Sequence, residues 1–183
     1  RGTRLLFSVP CLLLFGTAIG FGALARDVGL TFGNTLFVAI TMVALPNQVV
    51  LVDEIARGAA LTAIALAVTL TALRLLPMTV SLMPLMRGTQ RRPVLEFLAT
   101  WPIAITSWIE GMRCLPAVPP DLRLAFHFGT CAAMASSSVS GALAGYLVAG
   151  ALPPILAAAL LFMTPIYFLL SLINTSKTLP DQV

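Results

Sequence analysis

Hydrophobic positions along this chain fall in long runs rather than in stripes. Six apolar stretches cover about residues 5–25, 30–52, 59–86, 94–112, 124–149 and 155–172. Short polar junctions separate them: Arg26-Asp27, Asp53-Glu54, the block from Arg87 to Arg92, and a loop holding Pro116, Pro119 and Pro120. Each run is long enough, at roughly 20 residues, for an α-helix to cross a hydrocarbon core about 30 Å thick. None shows the period-two alternation of a membrane barrel strand. The pattern predicts an all-α polytopic membrane protein of about six transmembrane helices, forming one transmembrane domain over residues 1–183.

Composition excludes the main alternatives. Of the 183 residues, 58% are hydrophobic and only 10% charged, with mean hydropathy +0.97. A soluble domain carries about a quarter charged residues, so neither a soluble globular domain nor a disordered chain fits. The net charge of +4 is spread over short loops, which argues against a nucleic-acid partner. Three cysteines without a CxxC pair and a single histidine argue against a disulfide framework and a zinc site. No cofactor is expected. No Walker motif is present, so the chain does not itself use ATP.

The chain begins with Arg1 rather than Met, which reads as a trimmed N-terminus. Arg1, Arg4, an apolar run and Ala23-Leu24-Ala25 mimic a signal peptide with its cleavage site. The run exceeds the usual 7–15 residues and five more spans follow, so a retained first helix is the expectation. Orientation leans weakly. Arg1, Arg4, Arg57, Arg113, Arg123 and Lys177 fall on the side of the N-terminus, against Arg26, Arg87, Arg91 and Arg92 on the other.

The two halves share punctuation. Pro10 corresponds to Pro102, Phe32-Gly33 to Phe128-Gly129, and Pro77 to Pro165, at unequal offsets that require gaps. Repeats over residues 5–86 and 94–172 would each hold three helices, which forces an inverted 3+3 arrangement. Interrupted helices in inverted repeats are a recurrent plan of secondary transporters. The alternative is that Pro and Gly are simply frequent in membrane helices.

Three polar features interrupt the apolar runs. Arg74 lies well inside the third, where an arginine costs about 2.5–3.5 kcal/mol on insertion scales. It is expected to meet a substrate or coupling carboxylate; alternatively the span ends near Leu73 and the side chain snorkels to the interface. In the second run, Pro46 breaks the helix and frees carbonyls, with Asn47 and Gln48 beside it at membrane depth. Such a break is tolerated only when buried or lining a cavity; the alternative is a plain kink whose amides join neighbouring helices. In the fifth run, small residues from Thr130 to Gly145, including Gly141-x-x-x-Gly145, predict close helix packing. The hydroxyls from Ser136 to Ser140, Ser138 among them, are the alternative polar lining. The expected substrate-binding residues are Pro46, Asn47, Gln48, Arg74 and Ser138.

Ser138-Val139-Ser140-Gly141 faintly suggests an intramembrane serine protease, but the single histidine, His127, lies about 20 Å from Ser140 along one helix. An enzyme is therefore not expected, and His127 reads as interfacial or packed. Glu96 and Glu110 read as solvated span ends, with proton coupling as the alternative; Asp53 and Glu54 read as interfacial.

The order of these features resembles the AzlC family of branched-chain amino acid permeases. The resemblance is carried by Val43-Ala44-Leu45-Pro46-Asn47-Gln48, by the segment from Leu73-Arg74 to Met83-Pro84, and by the small-rich helix, Leu-Pro loop and apolar helix between Gly141 and Leu172. It covers roughly residues 5–175. The chain departs from the family pattern at Thr100-Trp101-Pro102, where members commonly carry an acidic motif, and at Pro46 and Asn47, where they commonly carry Gly or Ala. Members also tend to extend beyond Lys177. The resemblance implies export of branched-chain or related amino acids and a small hydrophobic AzlD-like membrane subunit as partner. The expectation is thus an inner-membrane secondary transporter subunit contacting lipid bilayer, amino-acid substrate and that partner, with homo-oligomerisation open. The rival is a non-transporting membrane scaffold whose working surface is the small-residue stripe of the fifth run.

Overall fold

The computed structural model describes residues 9–87 and 93–149, with scattered positions from 153 to 169. Half of the sixth apolar run, Pro165, and the basic residues Arg1, Arg4, Arg91, Arg92 and Lys177 lie outside the described residues. The helices are α1 (Val9–Asp27), α2 (Phe32–Thr41), α3 (Leu45–Ala56), α4 (Leu61–Leu73), α5 (Leu75–Met86), α6 (Pro93–Thr100), α7 (Ile105–Cys114) and α8 (Arg123–Val148). Two 3₁₀ turns, Leu115–Ala117 and Pro120–Leu122, join α7 to α8. No strand occurs among the described residues.

Helix ends follow local chemistry. After α1 the chain turns at Gly29, φ 88°, and the Leu30 amide donates back to the Ala25 carbonyl at 2.9 Å. After α3 the same device recurs at Gly58, φ 67°, with the Ala59 amide on the Glu54 carbonyl at 3.1 Å. Both are left-handed glycine caps that satisfy carbonyls a helix end would otherwise leave free. Thr31 caps α2, its hydroxyl accepting from the Asn34 amide.

Helices α1 and α8 form the spine, side by side and parallel. Ser137 Oγ donates to the Cys11 carbonyl at 2.7 Å. One turn on, Gly141 lies against the Phe15 carbonyl and the Ala18 side chain; a further turn on, Gly145 lies against the Ile19 carbonyl. From α1, Gly22 faces the Ala142 carbonyl. A methyl on any of these glycines would collide with the opposing backbone. The small-residue stripe of the fifth run is therefore consumed by packing against α1. At the far end Arg26 donates to the Tyr146 and Leu147 carbonyls at 2.9 and 3.2 Å, with its guanidinium 5.6 Å from the Tyr146 ring. A cation thus sits at the negative end of the α8 dipole.

Around this spine the core falls into two main clusters, with a small third of Ala23 and Ala149. Leu14, Ala18 and Phe21 of α1 pack with Val38, Leu45, Val52 and Met134. Leu82 and Met86 of α5 pack with Ala99, Ile103 and Leu115. Helix α4 buries no residue at all: Leu61 is 85% and Leu66 62% exposed. A helix apolar on every side, with no residue buried among the described residues, presents its apolar surface to lipid rather than water.

Helices α1 and α8 are each long and apolar enough to cross a membrane, and α4 with α5, bent by 43°, makes a third crossing if taken as one span. The run at 30–52 is broken into α2 and α3 at residues 42–44, beside Pro46 where a break was expected, while the run at 94–112, expected as one helix, is the pair α6/α7, interrupted at residues 101–104. Two parallel helices that both cross a bilayer require an odd number of crossings between them. Three helix pairs lie between α1 and α8. The punctuation shared by the two halves occupies unlike places: Pro10 is inside the first turn of an unbroken helix and Pro102 in a break, while Phe32-Gly33 opens α2 and Phe128-Gly129 lies inside α8.

Candidate functional site

Each helix break has a proline at or just after it. Proline lacks the amide that would bond the carbonyl four residues back, and its ring collides with that carbonyl. Pro46 displaces Met42 in this way, so α2 stops at Thr41 and residues 42–44 run extended before α3. Pro46 itself sits in the first turn of α3, where its missing donor costs nothing. The Met42 carbonyl it frees is taken by the Gln48 side-chain amide. The break is thus on the N-terminal side of Pro46, and Gln48 closes part of it internally. Pro77 acts likewise on Leu73, and Arg74 stands at the junction, ending α4 and opening α5. The reading of Arg74 as a mid-helix residue is corrected accordingly: it occupies a bend.

The third break contains Pro102 and is held from two sides. Ser107 Oγ accepts from the Ala104 amide at 2.8 Å and lies 3.0 Å from the Ala104 carbonyl and 3.2 Å from that of Pro102. From α8, His127 Nε2 lies 3.1 Å from the Ala99 carbonyl, a contact that requires the hydrogen on that nitrogen. Cys131 Sγ, one turn along, then donates to the Pro102 carbonyl at 3.6 Å. Sequence reasoning missed Ser107 and Cys131 as partners of the break. A serine five residues after a mid-span proline was the available signal; the α8 partners had none. His127 is packed, 2% exposed. His127→Leu is expected to lower stability in detergent by about 1–3 kcal/mol, because the Ala99 carbonyl loses its donor, and His127→Gln to recover part of it. An unchanged thermal midpoint for the leucine variant would show the bond to be idle.

The breaks converge on two adjoining clefts. One is lined by Pro46, Arg74, Leu75 and Ile105; the other by Ala39, Pro102, Ser107, Met134 and Ser138. Leu14, Val43, Ala104 and Thr106 belong to both. Pro46, Arg74 and Ser138 are thereby brought to one region. Asn47 and Gln48 line neither cleft; they are buried in the first turn of α3. Among the described residues, three buried side-chain oxygens have no hydrogen-bond partner: Asn47 Oδ1, Gln48 Oε1 and Ser138 Oγ. Such groups cost free energy unless a ligand, water or a second conformation supplies a donor.

The acids behave differently from the solvated span ends expected of them. Glu96 is 7% exposed and pairs with Arg87 at 3.4 Å. Glu110 is 9% exposed and accepts from the Cys114 thiol at 3.8 Å. Both are turned inward because α6 and α7 pack on α5 and α8 instead of standing as one straight span. Asp53, by contrast, is exposed and paired with Arg57 at 2.8 Å, as an interfacial residue would be.

No curated protein and no solved structure matches the chain. A family model described as AzlC protein matches residues 10–152, a stretch that takes in the α1–α8 spine and all three helix breaks. The chain belongs to the AzlC family, a membrane family associated with branched-chain amino acid transport.

Proposed function

We propose that the chain is a multi-pass inner-membrane subunit that exports branched-chain or other small apolar amino acids by secondary transport. The observation that carries this reading is the meeting of three interrupted helices at two adjoining clefts, with a cation at one and an unpartnered hydroxyl at the other. Interrupted helices at membrane depth are how secondary transporters present polar groups to a charged cargo. Arg74 binds the carboxylate. Asn47 and Gln48 carry acceptor oxygens suited to the ammonium group, Pro46 holds the break that places them, and Ser138 faces the cargo from α8. The driving force is a proton or ion gradient.

The partner in this reading is a small hydrophobic AzlD-like subunit, and the uncovered apolar surface of α4 supplies contact area for lipid or for such a subunit. A scaffold working through the small-residue stripe of the fifth run is not favoured, since α1 already occupies that stripe. In this reading each helix pair between α1 and α8 crosses once and the sixth apolar run adds a sixth span.

The test is efflux of labelled leucine, valine, alanine and aspartate from proteoliposomes holding the chain with and without the partner. Leucine and valine efflux that rises with an imposed proton or sodium gradient is expected, with little aspartate movement. Absence of amino-acid flux under every pairing would overturn the proposal.

A further inference from the structure

The two clefts differ in chemistry, and the difference has a direction. Among the described residues, Arg74 is the one charged residue lining either of them, and it lines only the cleft beside Pro46. The cleft beside Ser138 is walled mainly by Leu14, Ala39, Val43, Ala104, Met134 and Ala135. Its Ser107 hydroxyl is already engaged by backbone groups of the break, which leaves Ser138 Oγ as a buried polar atom without a partner there. An amphipathic cargo therefore has one favourable placement: charged end toward Arg74, apolar end past the shared wall.

We propose that the cargo's side chain enters the cleft beside Ser138, and that Ala39 and Met134 set the size of side chain admitted. The inference rests on the transport reading above. Ala39 is on α2, just before the break, and is 4% exposed. Met134 is on α8, also 4% exposed, and one turn from Ser138 on the same helix face. They come from different helices and belong to the Ser138 cleft but not to the Arg74 cleft. The cleft is closed to about 10 Å³, room for about one water, so admitting a side chain requires these walls to part, and a larger residue at Ala39 or a smaller one at the flexible Met134 changes how far they must part. Discrimination between aliphatic cargoes differing by a methylene runs at about 10- to 200-fold in hydrophobic pockets, so the two positions have measurable leverage in opposite directions.

The experiment compares kcat/KM for alanine, leucine and phenylalanine efflux in the wild-type chain, Ala39→Val and Met134→Ala, all reconstituted with the partner. Ala39→Val is expected to lower the leucine-to-alanine ratio about tenfold, and Met134→Ala to raise the phenylalanine-to-leucine ratio about tenfold. Ratios unchanged from wild type, or all three cargoes scaled equally, would overturn the assignment. If Ala39→Val fails to accumulate in the membrane, Met134→Ala decides alone, since it removes atoms and adds none. A wild-type chain that moves no amino acid refutes the transport reading itself; a wild-type chain that transports, with variants whose ratios do not shift, refutes only the size assignment.

Discussion

Gly145→Val is expected to keep the protein from accumulating in the membrane. The side chain added at this position points at the Ile19 carbonyl of α1, which is backbone and cannot turn aside. Relief requires α1 and α8 to separate, and with them the contacts at Gly141 and Gly22 and the bond from Ser137 to Cys11. Overpacking costs about 1–3 kcal/mol where side chains can adjust and more where they cannot; a backbone obstacle places this variant at or above about 3 kcal/mol. Gly129→Ala is the matched control. It lies on the same helix with nothing within 4 Å of a new Cβ, so improved helix propensity makes it neutral or stabilising by up to about 1 kcal/mol. Membrane yield and thermal midpoint in detergent read both. A Gly145→Val protein as stable as wild type would mean that α1 and α8 do not touch in this way.

Arg74→Ala is expected to lower efflux roughly 10- to 100-fold while insertion is unharmed. Loss of a charge-assisted hydrogen bond of about 1.5–3 kcal/mol corresponds to that range. An arginine at membrane depth opposes insertion, so its removal makes integration easier, and lost transport cannot be assigned to failed folding. Gln48→Ala should lose efflux for two reasons at once, because its amide also closes the Met42 carbonyl. A fall in thermal midpoint is expected for Gln48→Ala and not for Arg74→Ala. Wild-type efflux by the arginine variant would remove Arg74 from the site, and the orientation of cargo across the two clefts with it.

Proline chemistry explains why part of the site was legible in one dimension. A missing amide acts on a carbonyl four residues away, so Pro46 and Pro77 mark their breaks locally and draw attention to Gln48 and Arg74. Pro102 was read only as a punctuation mark, since its partners are elsewhere. Ser107 is near in sequence, but His127 and Cys131 reach the break from another helix, and no local pattern records that approach. The same limit applies to Glu96. A glutamate at the end of an apolar run reads as solvated, and only the turn of α6 toward α5 brings it against Arg87.

The sequence by itself determined that this is a helical chain whose solvent is lipid, because transfer into a bilayer depends on composition summed over about 20 residues and needs no partner. It also determined that two backbones could come close at Gly141 and Gly145, since absence of a side chain is a local property. Which backbones meet there was decided by tertiary structure. A glycine permits an approach without naming the surface approached, and the contact from Gly145 to Ile19 joins opposite ends of the described chain. The convergence of three breaks on two clefts is of the same kind: each break is written locally, and their meeting depends on how the parallel α1–α8 spine holds the helices between them.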